Sequence, residues 1–177
     1  MRRWTTPRPA GLYRDESGVT LVDLLLVLMI VAIVGLVGSV SLQGLVAGSR
    51  ARQAAKQVAA TLQMARVKAI SQHTPYKVTF TGTTSYQVFR QAAGSWVAEG
   101  NPVTLPAGVR FSKDGATPTT FANPAHEATF HPSGAATNPA GGLNGGTIYL
   151  KGAGAHQQYR VSVVDLTGRI QVWKGWE

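Results

Sequence analysis

The chain has 177 residues, no cysteine and a formal net charge of +9 at pH 7. This length is enough for one domain of ordinary size. Because cysteine is missing, a disulfide framework and a thiolate metal site are both excluded. The basic balance favours an anionic partner such as nucleic acid or lipid headgroups, although it carries no information about the fold.

Residues 1–18 form a basic segment with no apolar core. It holds four arginines and two acidic residues, so a chain that starts at Val19 would keep 13 basic and 6 acidic residues, a net charge of +7. A secretory signal peptide has its apolar core before the cut, which this segment lacks. The segment is therefore not a conventional signal peptide, and it is either a leader of another type or a disordered basic tail on an uncleaved anchor.

Residues 24–42 carry no charge and predict a membrane-spanning helix. At 1.5 Å per residue they would make a helix of about 28 Å, close to the thickness of a hydrocarbon core. Asp23 lies at the front edge of this run, where a lone carboxylate is costly and needs a partner. Cleavage after Gly18 would create an amine on Val19, four residues before Asp23, which predicts a pairing of these two groups within or between subunits.

Residues 50–72 predict a continuation of the helix with one buried stripe. The stripe, at spacings of three and four, consists of Ala51, Ala55, Val58, Leu62, Ala65 and Ala69. Five basic residues and no acid occupy the rest of the segment, which favours a solvated face or, alternatively, contact with headgroups or a neighbouring subunit. Gly35 and Gly38 indicate either loosening of the helix or close helix packing.

From residue 73 onwards the pattern is typical of strands. Period-two alternation and turn residues predict strands at 76–81, 85–91, 96–97, 103–105, 109–111, 128–131, 146–151, 159–164 and 170–173. Residues 121–145 are otherwise predicted to be a long loop. The sequence thus predicts an α+β fold, in which the second half of a helix over residues 19–72 packs on an antiparallel β domain of residues 73–177.

Two sets of residues resemble a known family. The sequence Gly18-Val19-Thr20-Leu21-Val22-Asp23 resembles the type IV prepilin cleavage motif, with Val19 and Asp23 where that motif usually has Phe and Glu. The segment 58–79, followed by Phe130-His131-Pro132-Ser133-Gly134 and Gly146-Thr147-Ile148-Tyr149-Leu150, is similar to the GspH/FimT family of minor pilins and pseudopilins.

The resemblance implies a structural subunit and not an enzyme. It implies a single-pass precursor in the bacterial inner membrane with its leader in the cytoplasm, cut after Gly18 by prepilin peptidase and methylated on Val19. The helix, with Asp23, would then assemble with other pilin or pseudopilin subunits. The product would be a type IV pilus or a type II secretion pseudopilus, in the periplasm or at the cell surface, and the residues do not choose between the two machines.

A second function is predicted from the C-terminal strands, where cations alternate with aromatics. The candidate DNA contacts are Arg169, Lys174, Trp173, Lys151 and Arg160. FimT-like pilins of natural transformation carry a DNA-binding Gly-Arg-x-Arg motif, and Gly168-Arg169-Ile170-Gln171 is similar to its first half. The alternative is a tight turn at Gly168 with Trp173 in the core.

Catalytic and metal chemistry are not expected. His73, His126, His131 and His156 are not at metal-ligand spacing, and they fit surface or turn positions better. Neither Gly-x-Ser-x-Gly nor a phosphate-binding Gly-x-x-x-x-Gly-Lys occurs. We therefore predict no cofactor and no metal, and a membrane-anchored enzyme is the weakest of the alternatives.

Overall fold

The computed structural model describes residues 20–113, 119–121, 126–137, 142, 145–154 and 157–176, without the side chains of 36–47. Within these residues the chain forms one helix and ten strands. They are α1 (Leu21–Ser71), β1 (Tyr76–Thr81), β2 (Ser85–Ala92), β3 (Ser95–Ala98), β4 (Val103–Thr104), β5 (Arg110–Phe111), β6 (Glu127–Phe130), β7 (Ala136–Thr137), β8 (Gly146–Lys151), β9 (Gln158–Val163) and β10 (Ile170–Lys174).

The chain divides into two compact units, residues 1–40 and residues 41–177. The described part of the first unit is helical from Leu21, and its large apolar side chains up to Val34 are 52–73% exposed. The helix runs through Gly35 and Gly38 without a break.

Among the described residues, no helix combines the length and the hydropathy that crossing a membrane requires. Residues 36–42 of the predicted span lie among the side chains that are not described.

In the second unit the strands form two antiparallel sheets. The larger sheet has the order β3-β2-β1-β6-β7, with β4 beside β2, and the smaller sheet has the order β10-β9-β8-β5. Strand alternation turns Tyr76, Val78 and Phe80 of β1 towards the core, and the same alternation turns Ile148 and Leu150 of β8 inwards. Each sheet therefore has one apolar and one polar face.

The helix covers the apolar faces with its predicted stripe. All six stripe residues are fully buried and belong to the same core cluster as the strands, which confirms the prediction. Most of them are alanines, and small side chains let a helix approach a sheet closely. Ala51 illustrates this, because a Cβ added at Gly152 would lie 3.1 Å from the Ala51 Cβ.

Four aromatic rings fill the space between the sheets. Phe80 of the larger sheet meets Phe111 of the smaller sheet edge-on, with ring centroids 5.2 Å apart, and Phe121 stacks on Phe80 at 6.3 Å. Tyr86 contacts both Phe80 and Phe111. Edge-to-face pairs of this kind add about 0.5–1.5 kcal/mol beyond the burial of their surface.

The structure matches each predicted strand to within one residue at both ends, with one omission. Strand β7, Ala136–Thr137, pairs with β6 inside the segment predicted to contain a single strand. That part of the prediction is wrong, because two residues with small side chains give too short a pattern to recognise.

Candidate functional site

The motif at the start of α1 forms a helix cap. The Thr20 backbone N–H and hydroxyl both donate to Oδ2 of Asp23, at 3.1 and 2.9 Å, and the Asp23 backbone N–H lies 3.3 Å from the Thr20 hydroxyl oxygen. This reciprocal pattern satisfies backbone groups that a helix leaves unpaired at its N-terminus. Asp23 is exposed, and its proposed partner Val19, like Gly18, lies outside the described residues.

A second candidate site lies on the face of the smaller sheet that points away from the core. Because paired residues share a face, Arg160 of β9 lies between Trp173 of β10 and Tyr149 of β8. Lys151 follows on the same side of β8 and is paired with Arg110 of β5. We call this surface the cation–aromatic face; it comprises Arg110, Lys113, Tyr149, Lys151, Arg160, Arg169, Trp173 and Trp176.

Cations of this face stack on its aromatic rings. Lys113 Nζ lies 5.0 Å from the Tyr149 ring centroid, and the Arg160 guanidinium lies 5.6 Å from that of Trp173. Lys151 Nζ lies 5.8 Å from the Trp176 ring. The four strands of the sheet contain no acidic residue, so their side chains provide no opposite charge. An exposed cation–π contact is worth only about 0.5–1 kcal/mol, so these side chains can exchange partners.

Lys174 is not on this face, which corrects the prediction that placed it there. Consecutive strand residues point to opposite sides, so Lys174 lies on the helix side of β10, beside Tyr159. It lines a groove together with Arg52 and Lys56 of α1. Trp173, in contrast, is 47% exposed, so the alternative that placed it in the core is also wrong.

The turn before β10 explains why the Gly168-Arg169 pair begins with glycine. Gly168 has a φ of +57°, and a Cβ there would lie 2.1 Å from the Gly134 carbonyl oxygen. The same oxygen accepts a hydrogen bond of 3.0 Å from Nε of Arg66. Glycine at this position is therefore needed to dock the turn. Arg169 is exposed and directly precedes β10, beside the cation–aromatic face.

Sequence reasoning missed part of this face. Tyr149, Lys113 and Arg110 were not among the predicted contacts, although the alternation of β8 gave a usable signal for Tyr149. The other two depend on a short strand and on tertiary contacts. Conversely, the predicted solvated face of residues 50–72 does not hold for two of its five basic residues. Arg66 donates a hydrogen bond to the Gly134 carbonyl, and Lys68 pairs with Glu99.

The Lys68–Glu99 ion pair perturbs nearby ionisation. The Lys68 ammonium, by its hydrogen bond, lowers the pKa of the Glu99 carboxyl. Burial, aided by the neighbouring Glu99, raises the pKa of Tyr76 to about 12, and the Tyr76 hydroxyl donates to Oε1 of Gln72 at 2.8 Å. These groups join the end of α1 to the larger sheet.

In the described part of the chain, no three or more His, Asp or Glu residues lie close enough together to hold a metal ion. His126 Nδ1 instead lies 3.0 Å from the Thr119 hydroxyl, and His73 occupies a turn with a φ of 49°. His156 lies outside the described residues.

Solved structures similar to this chain include a minor pseudopilin and a type IV minor pilin. The minor pseudopilin EpsH from the Type 2 Secretion System of Vibrio cholerae is 18% identical over 71% of this chain and 97% of its own, with a TM-score of 0.53. The type IV minor pilin FimU of Pseudomonas aeruginosa strain PAO1 is 20% identical over 69% and 87%, with a TM-score of 0.52. At these identities the likeness establishes the fold.

Sequence comparison identifies the family. No curated protein matches this chain. A family profile described as "Type II transport protein GspH" matches residues 54–167, which is more than half of the chain and includes the stripe of α1 from Ala55 onwards and most of both sheets. The chain therefore belongs to the GspH family of minor pilins and pseudopilins, which are structural subunits.

Proposed function

We propose that this chain is a minor pilin or pseudopilin precursor of the bacterial inner membrane. Prepilin peptidase cuts it after Gly18, Val19 is methylated, and the helix assembles with other subunits into a type IV pilus or a type II secretion pseudopilus. The membership of the GspH family carries the proposal. Between the two machines the proposal stays open, because the fold is common to a pseudopilin and a type IV pilin.

The first part of α1 supports assembly through the helix. Its large apolar side chains between Leu21 and Val34 are all more than half exposed. Such a surface is unfavourable in water and requires lipid or other helices. The predicted span begins within this segment, and a membrane would cover the apolar side chains before assembly.

Asp23 gives the sharpest test, because its capping role can be separated from its pairing role. We expect Asp23→Ala to insert into the membrane normally but to enter filaments poorly, since the Val19 amine loses its partner. Asp23→Glu should be tolerated. The matched control is Thr20→Ala, which removes the cap and keeps the carboxylate; loss of a cap costs about 0.5–2 kcal/mol.

The measurement is the ratio of filament-bound to membrane-bound protein in a host that supplies the assembly machinery. A ratio that falls in Asp23→Ala but not in Thr20→Ala supports pairing of Asp23 with the Val19 amine. Equal losses in Thr20→Ala and Asp23→Ala would assign the defect to the helix cap, and normal incorporation of Asp23→Ala would refute the pairing.

A second candidate function is DNA binding, favoured by the cation–aromatic face. Five cations lie on or beside one sheet surface together with Trp173 and Trp176. Cations can neutralise phosphates while aromatic rings stack on exposed bases, each stacked base being worth about 1–3 kcal/mol. Nε of Arg160 and Nε1 of Trp176 are buried with no hydrogen-bond acceptor among the described residues, so donors are left over.

This candidate is tested by DNA binding of the full chain in neutral detergent across a salt series. Arg169→Ala and Lys151→Ala should each lower the slope of log affinity against log salt by roughly 0.7–0.9. Arg90→Ala, with the same loss of charge on an exposed position of the larger sheet, is the control and should leave the slope unchanged. Equal effects of all three variants, or no binding at low salt, would refute DNA recognition by this face.

A further inference from the structure

A groove between α1 and the end of the smaller sheet collects positive charge. Its volume is about 550 Å³, within the range of sites for small ligands. The groove is lined by Gly48, Ser49, Arg52, Gln53, Lys56, Gln157, Tyr159 and Lys174. Three of these residues are cations, none is acidic, and the others include amide and hydroxyl groups that can donate hydrogen bonds.

The cations of the groove repel one another. Arg52 and Lys56 are one helical turn apart, where like charges repel by about 0.2–0.5 kcal/mol, and Lys174 adds a third charge from β10. Within the described residues the ion pairs are Lys68–Glu99 and Lys77–Glu127, so none involves the groove. The three positive charges of the groove are complementary to an anion.

The groove residues on α1 lie soon after the predicted span in the sequence, which indicates that lipid headgroups are the nearest anions. Gly48 to Lys56 follow the predicted span by six to fourteen residues, so they belong to the segment that leaves the lipid first. Basic residues next to a span attract anionic headgroups, each by about a factor of five in affinity. Arg52 can additionally hold a phosphate through two parallel hydrogen bonds.

We propose that the groove binds the phosphate of an anionic phospholipid headgroup. Arg52, Lys56 and Lys174 supply the charge, while Gln53 and Tyr159 supply neutral hydrogen-bond donors. Bound lipid would then fix the globular unit at the membrane surface before assembly. The inference rests on the membrane anchoring proposed above, but lipid binding itself requires neither cleavage nor assembly.

The test uses the full chain in neutral detergent micelles, titrated with phosphatidylglycerol or phosphatidylcholine, with native mass spectrometry to count bound lipids. We expect phosphatidylglycerol to bind at least tenfold more tightly than phosphatidylcholine. Substitution of Arg52, Lys56 and Lys174 by Gln should abolish this preference, with roughly a fivefold loss for each cation. The single variant Lys56→Gln covers the case in which the triple variant unfolds at a lower temperature.

The matched control replaces Arg110, Lys113 and Lys151 by Gln, which removes the same charge from the cation–aromatic face. It should retain the preference. Equal binding of the two lipids, an unchanged groove variant, or an equal loss in the control would overturn the proposal. Inorganic phosphate that displaces phosphatidylglycerol at equal concentration would also overturn it, because the groove would then be a site for free phosphate. Failure to enter filaments would refute the proposed function and leave this inference standing.

Discussion

The two parts of α1 carry apolar surfaces of opposite kinds. Between Leu21 and Val34 the apolar side chains are large and more than half exposed. Between Ala51 and Ala69 the stripe residues are mostly alanines and are fully buried against the sheets. The size and spacing of the apolar residues in a helix therefore indicate its surroundings better than their number does.

The physical reason lies in what each surface has to contact. A sheet covers one side of a helix, so its apolar residues form a stripe at spacings of three and four, and alanines in that stripe let the helix approach closely. Lipid and neighbouring helices surround a segment and accept bulky side chains all round. The second part of α1 thus belongs to the folded domain, and the first part serves the membrane and the filament under the proposed function.

The largest expected difference is in the free energy of unfolding, when one leucine in each part of α1 is replaced by alanine. Leu62→Ala creates a cavity in the core and should lower the free energy of unfolding by about 2–5 kcal/mol. Leu26→Ala, at a side chain 57% exposed, should leave it unchanged. Urea unfolding of the full chain in neutral detergent, followed by tryptophan fluorescence, makes the comparison, and equal losses would contradict it.

A charged substitution should affect the two parts of α1 in the opposite order: it should disturb membrane insertion in the first part and have no effect on insertion in the second. Ile33→Lys places an ammonium in the predicted span and should disfavour insertion by about 2.5–3.5 kcal/mol. Gln63→Lys, on an exposed position of the second part, should have no effect on insertion. The measurement is the fraction of protein that resists carbonate extraction from membranes. Normal insertion of Ile33→Lys would contradict the assignment of residues 24–42 to the bilayer.

The smallest effect concerns the ion pair at the end of α1. Since the folded pKa of Glu99 is lowered, its stabilisation is fully present above the unfolded value of about 4.3 and is lost as the pH falls through the folded value. Glu99→Gln should therefore be less stable than the wild type at pH 7, by under about 1 kcal/mol because the pair is partly exposed. The difference should shrink as the pH falls through the folded pKa of Glu99, and a difference that stays constant with pH would exclude the ionic contribution.

Much of the fold could be predicted because periodicity reports burial directly. The six-residue stripe of α1 and the alternating strands β1 and β8 follow from spacing alone. Strand β7 could not be predicted, since Ala136 and Thr137 pair through tertiary context. The need for glycine at position 168 could not be predicted either, because the Gly134 carbonyl that excludes a side chain there is 34 residues away in sequence.

The candidate sites were predicted with less success. The cleavage site after Gly18 stays a prediction from the resemblance of its residues, whereas the cap between Thr20 and Asp23 required atomic positions. Trp173 and Lys174 are neighbours in sequence and were grouped together. Strand alternation separates them, placing one on the cation–aromatic face and the other in the groove. A composition of cations and aromatics therefore identifies a surface only after the pairing of strands is known.

The most direct test of the central claim is the intact mass of the protein purified from filaments of its native host. The account predicts a chain that begins at Val19 and carries one methyl group on its amine. Gly18 replaced by a bulky residue should leave the full precursor in the membrane. Recovery of Met1 in mature filaments would contradict the account.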